Sequence, residues 1–306
     1  MSLLSRIKGT GKSGFGYGST AEGVTRSLDL SGKTYLITGC NSGLGMETAR
    51  VLASRGGRII GAARTQERAA EALERVGAEG AGVACDLADP GSVRACIQSV
   101  RDVSGHLDAI IANAGIMALP ELQQKHGYEL QFFTNHVGHF ILVTDLLERL
   151  APEGRVVMVS SGAHERAPDE GIQFDNLSGE KGYSPWQAYG QSKLANLLFA
   201  RALARRLAGS GRTANALHPG VIATNLGRHM NPVARGVLTL AKPLLLKSIP
   251  EGAATQCYVA AHPDAAGVSG EYWADCNIAE PSLQGQDDAL AEALWTESEK
   301  IAARVA

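Results

Sequence analysis

The sequence predicts an α/β fold: a doubly wound, mostly parallel sheet of seven strands with helices on both faces. Three observations predict it. From Lys33 onward, short apolar runs alternate with longer helical patterns. The runs are nearly continuous in apolar character, as strands covered on both faces need to be. The glycines and polar residues with chemistry to offer fall just after the runs, where open α/β sheets bind ligands.

The elements follow in order. "TYLIT" (34–38) reads as a strand and "GLGMETARVLASRG" as the helix after it. "GRIIGAA" (57–63) is a strand and "TQERAAEALERVG" a helix. "AGVACD" (81–86) is a strand, and "DPGSVRACIQSVRDVS" a helix with Asp89 as N-cap and Pro90 in its first turn. "LDAIIANAG" (107–115) is a strand, a helical region covers about 125–150, and "GRVVMVSS" (154–161) is a strand. A long helix spans 184–209 with Ser184 and Pro185 at its start. "RTANALHPG" (212–220) and "GVSGEYWA" (267–274) complete the strands.

Composition bounds the partners. A chain of 306 residues, 44% hydrophobic and 20% charged, can bury one large core. We expect an N-terminal arm over 1–30, lying over the domain or partly disordered, and a single domain over 31–306. The 29 basic and 31 acidic residues leave a formal charge of −2, which suggests no polyanion partner such as nucleic acid. Cys40, Cys85, Cys96, Cys257 and Cys276 are odd in number and form no C-x-x-C pair, so a reducing, cytoplasmic location is expected. "MSLLSRIKGTGKSGFGYGST" is too polar for a signal peptide or anchor, and "VLTLAKPLLL" is broken by Lys242 and Pro243, so no transmembrane segment is expected.

The stretch "TGCNSGLG" joins the first strand to the first helix. Gly39 permits a tight bend, Gly43 lets a pyrophosphate approach the backbone at the helix's positive end, and Gly45 lets helix and strand pack closely. Asn41, Ser42 and Leu44 are counted with them as cofactor-binding. The bland alternative is a glycine-rich turn with no ligand; the strand and helix on either side favour the ligand. Tyr189 and Lys193 lie four apart in a helical pattern and so share one face. The ammonium of Lys193 is expected to lower the pKa of the Tyr189 phenol from about 10 towards working pH. Ser160 and Ser161 emerge at the end of "VVMVSS", where a hydroxyl can donate to a substrate oxygen. His136 and His139 are three apart, but no third ligand is evident and no metal is expected. No G-x-S-x-G elbow is present for a serine hydrolase.

The glycine spacing G-x-x-x-G-x-G, with "YGQSK" downstream, resembles the short-chain dehydrogenase/reductases. "CDLAD", "ANAG", "NHVGH", "VSS" and "HPG" stand in the order of that family, over nearly all of the chain after Leu30. The extended middle, from "GAHERAPDEG" through "SKLANLLFARALARRL", looks like the retinol-dehydrogenase and WW-domain-oxidoreductase branch. The segment before the domain shows neither a WW tryptophan pair nor the apolar anchor of many retinol dehydrogenases.

The resemblance implies a Rossmann-type fold and a tetrad of Ser161, Tyr189, Lys193 and Asn135. Tyr189 and Lys193 would also touch the cofactor. Asn135 would bend its helix and hold a water that relays protons to the lysine. Asp86 and Leu87 would face the adenine, and Asn113, Ala114 and Gly115 would lie beside the nicotinamide ribose. Pro219, Gly220 and Thr224 would pass the nicotinamide, and about 225–250 would form the substrate lid. No acid ends the second strand before Glu67, and Arg64 stands where a cation meets a 2′-phosphate, so NADP(H) is favoured, with NAD(H) the other choice.

The apolar lid stretch suggests an apolar alcohol, aldehyde or ketone as substrate, or a surface for homo-oligomers or membranes. The reading is therefore an alcohol dehydrogenase/carbonyl reductase acting on CH–OH groups. The alternative is a nucleotide sensor or scaffold on the same fold, which the complete tetrad disfavours.

Overall fold

The computed structural model describes residues 9–222 and 246–305. One sheet dominates it. Its strands are β1 (Thr34–Thr38), β2 (Arg58–Ala63), β3 (Gly80–Ala84), β4 (Leu107–Ala112), β7 (Leu150–Val159), β8 (Thr213–His218), β9 (Tyr272–Ala274) and β10 (Asn277–Ala279). β5 (Gln124–Lys125) and β6 (Tyr128–Glu129) form a separate hairpin. The helices are α1 (Ala21–Val24), α2 (Gly43–Ser54), α3 (Gln66–Arg75), α4 (Pro90–Val103), α5 (Leu130–Phe132), α6 (Gly138–Leu146), α7 (Pro185–Arg206), α8 (Ile249–Ala261) and α9 (Asp288–Arg304).

The strand order is β10-β9-β8-β7-β4-β1-β2-β3, parallel throughout except for β9 with β10. The chain winds outward in one direction from β1 and in the other from β4. These two neighbours, with Tyr35 opposite Ala109, therefore form the switch point beyond whose carboxyl ends a ligand binds.

The strands alternate between two buried cores. Leu36, Ile110, Ala112, Val156 and Met158 face the layer of α4, α6, α7 and α9. Tyr35, Ile37, Ala109, Ile111 and Val157 face the layer of α1, α2, α3 and α8. Both faces of the inner strands are dry, which is why those strands read as apolar runs; each buried aliphatic side chain contributes about 1.5–3 kcal/mol. Tyr17, Ala21, Val24 and Leu30, all N-terminal to β1, are buried as well.

The sheet has eight strands where seven were expected. The extra one, β10, follows a turn in which Asp275 (φ 51°) and Cys276 (φ 62°) are both left-handed without being glycine, so no sequence signal marks it. The expected strand at 267–274 shortens to β9. The helical region at 125–150 also divides: the β5–β6 hairpin turns at His126 and Gly127, and a π-helical turn over Phe133–Val137 interrupts the helix before α6. Thr224 and most of the expected lid at 225–250 lie outside the described residues.

Candidate active site at the sheet's switch point

The glycine turn sits at the end of β1. Gly39 (φ 68°) and Gly43 (φ 54°) are left-handed, a conformation that costs other residues strain. A Cβ on Gly45 would strike the Gly39 carbonyl and come within 2.6 Å of Asn113 Nδ2, so helix, strand and loop meet there in close contact. A Cβ on Gly43 would meet nothing within 4 Å. Gly43 therefore faces open space at the positive end of α2, and Ser42, its N-cap, spends no side-chain hydrogen bond on the helix. This cradle fits a phosphate. Asn41 and Leu44 flank it, partly buried.

Thr38 organises the neighbouring loop. The backbone N–H groups of Asn113 and Ala114 both donate to Thr38 Oγ1 at 3.0 Å, and Asn113 Nδ2 donates to the Thr38 carbonyl at 2.8 Å. Thr38 Oγ1 then spends its own hydrogen on His139 Nε2, 2.8 Å away. That fixes the tautomer: His139 Nδ1–H donates to the Asn135 carbonyl at 2.9 Å. Burial pushes His139 down to about 4, against the bond to Asn135, so the ring is neutral.

Asn135 lies in the π-helical turn, a form that recurs at functional sites. Its Oδ1 accepts from Ile116 N (2.8 Å), and its Nδ2 donates to Ile116 O and to Ser192 Oγ, each at 2.9 Å. A Cβ on Gly115 would lie 3.0 Å from Asn135 Oδ1 and 3.4 Å from Lys193 Nζ. Gly115 is thus the space between the amide and the ammonium, and any side chain would fill it.

Lys193 is buried and donates to the Val159 carbonyl at 2.9 Å, with Nζ 5.8 Å from the centre of the Tyr189 ring. Burial pushes its pKa down to about 8. Tyr189 behaves opposite to expectation. Burial pushes the phenol up to about 12, and only a side-chain interaction with Ser161 opposes it. The lysine donates to Val159 O, and desolvation of the phenolate decides the direction for Tyr189.

The two serines differ. Ser160 is buried and donates to the Lys193 carbonyl at 2.7 Å. Ser161 accepts from Ala163 N at 3.1 Å, and its side chain also interacts with Tyr189, which puts its hydroxyl on the site side. Two histidines that sequence reasoning passed over hold this corner. His164 Nδ1 donates to Ser161 O at 2.7 Å, and Gly162 N donates to His218 Nδ1 at 2.9 Å. Only the "HPG" motif hinted at His218; nothing marked His164. His136, beside Asn135, bonds Ser298 of α9 at 2.7 Å instead, so the two histidines of "NHVGH" serve different elements.

The remaining expected residues border this centre. Arg64, just past β2, is exposed and forms no ion pair among the described residues. Asp86 accepts from Ala88 N at 3.0 Å, whereas the Leu87 side chain is buried in the core and offers a nucleotide only its backbone. Pro219 is buried, and Gly220 (φ 93°) turns the chain after β8. Cavities of about 330 and 560 Å³ open elsewhere, around Arg201, Gly270 and Glu271, and no tetrad residue lines either. Among the described residues, no helix is long and apolar enough to cross a membrane.

Comparison with known proteins gives a consistent result. Residues 33–234 match the family model described as short chain dehydrogenase. The chain is 44% identical to short-chain dehydrogenase TIC 32 B, chloroplastic, of Brassica napus, over 98% of each chain. It is 41% identical to retinol dehydrogenase 14 of Mus musculus, over 88% of this chain and 86% of that one. A solved protein from Mycobacterium Paratuberculosis superimposes with a TM-score of 0.74 at 34% identity, covering 92% of this chain and 97% of the other. A short chain dehydrogenase from Burkholderia cenocepacia J2315, solved in complex with NADP, gives 0.65 at 25% identity, covering 80% of this chain and 96% of the other.

Proposed function

The chain belongs to the short-chain dehydrogenase family, in the branch of the retinol dehydrogenases, and from that premise we propose that it interconverts an apolar alcohol and its aldehyde or ketone with NADP(H). The observation that carries the proposal is the convergence at Gly115. A Cβ there would meet both Asn135 and Lys193, Lys193 Nζ lies 5.8 Å from the centre of the Tyr189 ring, and Ser161 interacts with Tyr189.

A bound nicotinamide supplies the hydride donor or acceptor. The chain's own residues do the rest. Ser161 donates its hydroxyl hydrogen to the substrate oxygen, where charge develops. Tyr189 delivers a proton to that oxygen during reduction and removes it during oxidation. The phenol is protonated at neutral pH and so has a proton to give during reduction, while the reverse direction needs a lower value, which a positive charge near the phenol favours. Asn135 fixes the 113–116 loop against α7 and so holds Gly115 clear.

Arg64 is the reason to favour NADP(H). Its guanidinium has no carboxylate partner among the described residues and stands at the strand end where a 2′-phosphate arrives. The NADP complex of the Burkholderia relative agrees with that choice. For the compartment, the five free thiols fit a reducing environment such as the cytoplasm, while the chloroplast is the location in the name of the Brassica relative. A screen of apolar aldehydes and ketones, followed by NADPH absorbance with NADH as control, tests the proposal. Absence of turnover with every carbonyl, in protein that binds NADPH, would favour the nucleotide-sensor alternative.

A further inference from the structure

Lys247 is 0% exposed and has no part in the proposed chemistry. We infer that Lys247 is a positioning residue for the loop Pro219–Ile222, and that the N-terminal arm, through Tyr17, holds it in place. The inference rests on the proposed function insofar as that loop borders the nicotinamide.

The loop lies on the lysine stem. A Cβ on Gly220 would come within 2.6 Å of Lys247 Cδ and 3.0 Å of Cε. Lys247 N donates to Val221 O at 2.9 Å, and Ile222 pairs with Lys247 in an isolated parallel bridge. Moving the lysine therefore moves the loop.

The other end of the side chain is anchored by charge. Nζ lies 2.6 Å from Asp275 Oδ1, an ion pair whose angles do not meet hydrogen-bond geometry, and 4.8 Å from the centre of the Tyr17 ring. An ammonium out of water needs such partners, and a ring face is one of them. Asp275 itself occupies the left-handed region in the turn between β9 and β10, a conformation retained only where the surroundings impose it.

The arm is attached to that same turn. Asn277, the first residue of β10, accepts from Ser13 N and donates to Phe15 O, each at 3.0 Å. The Phe15 ring stands edge-on to Tyr258 and His262, with centroids 5.7 Å from each. Tyr17, two residues on, is 7% exposed beneath the lysine. A continuous set of contacts thus runs from the arm, through Tyr17 and Asp275, to Lys247 and Gly220.

The test uses the full chain with Tyr17→Leu, Tyr17→Phe and Lys247→Met, each titrated with NADPH by fluorescence. Tyr17→Leu and Lys247→Met should weaken NADPH binding about fivefold to tenfold, the scale of coupling between contacting residues, and raise the KM for NADPH more than they lower kcat. Tyr17→Phe keeps the ring and should rescue the affinity. The double variant Tyr17→Leu/Lys247→Met should lose less than the product of the single losses. Ile301→Val, a core change in α9, serves as the control for lost stability and should leave affinity alone. Unchanged affinity in both Tyr17→Leu and Lys247→Met, or an equal loss in Ile301→Val, would overturn the inference. Hydrogen exchange at the Lys247 amide reads the coupling without nucleotide: it should quicken in Tyr17→Leu and not in Tyr17→Phe, and no change would again overturn it. Failure of the unmodified chain to bind NADPH would count against the proposed function alone, since exchange decides the coupling independently.

Discussion

Lowering the pH from 7 to 5 should destabilise the fold through two histidines that follow Asn135, His136 beside it and His139 one turn on. His136 and His139 are fully buried, and burial pushes them down to about 3 and about 4. In the unfolded chain each titrates near 6.5. A depressed folded value means that the unfolded state takes up protons first. The stabilisation is complete above pH ~6.5 and is lost as the pH falls towards the folded values. Each histidine then loses about 1.36 kcal/mol per pH unit, or about 2 kcal/mol at pH 5. Both together reach about 4 kcal/mol, a large share of the roughly 5–15 kcal/mol that holds a typical domain. Burial raises the pKa of Glu129 and so offsets part of this loss, which makes a difference between variants the sounder measure. Urea unfolding followed by circular dichroism at pH 8, 7, 6 and 5 would compare the chain with His136→Leu. The variant loses the bond to Ser298 at every pH, but its stability should fall about 2 kcal/mol less between pH 7 and 5. Parallel pH profiles would refute the assignment of His136 as a neutral, buried group.

Three further outcomes are expected. Arg64→Ala should weaken NADP(H) about tenfold and leave NAD(H) nearly unchanged, with the gap narrowing in salt because the side chain is exposed; equal dissociation constants for the two cofactors in the unmodified chain would contradict it. Ser161→Ala should lower turnover far more than Ser160→Ala, whereas Ser160→Ala, which loses the bond to Lys193 O, should cost about 1 kcal/mol of stability; thermal melts and steady-state rates together separate the two, and a reversed ranking of the rates moves the catalytic role to Ser160. Gly43→Val places its side chain in the open cradle, so nucleotide affinity should fall strongly, with a further ~1–3 kcal/mol of backbone strain from the left-handed φ; unchanged affinity in a folded variant would remove the phosphate from this turn.

Much of this architecture was legible because the inner strands are dry on both faces. β1 occupies the expected 34–38, and β2 and β4 begin within a residue of expectation, since Ile59, Ile60, Ile110 and Ile111 leave little alternative. Helix α4 starts at Asp89 and Pro90 as the capping residues imply. What escaped was set by tertiary contact. The turn at Asp275–Cys276 has no glycine to mark it, so β10 was missed. Helix α9 was not anticipated, although its Trp295 stacks on Phe199 and its Ser298 meets His136. The π-helical turn leaves no periodic trace over five residues. In the candidate site the motif residues were legible by type and order, but their partners were not. Thr38 and His139 are 101 positions apart, and only the fold brings them to 2.8 Å. The sign of the Tyr189 shift was missed for the same reason: spacing places Lys193 on the same helix face, but burial, and the carbonyl of Val159, decide where its charge acts.

The most direct test of the account is Tyr189→Phe, measured for NADPH binding by fluorescence titration and for turnover by NADPH absorbance with an aldehyde substrate found for the unmodified chain. On the proposed mechanism the phenol's part is proton transfer and its contact with the dinucleotide is minor, so affinity should stay within about twofold while turnover falls by roughly a hundredfold or more. Undiminished turnover in a variant that still binds NADPH would contradict the proposed chemistry at its centre.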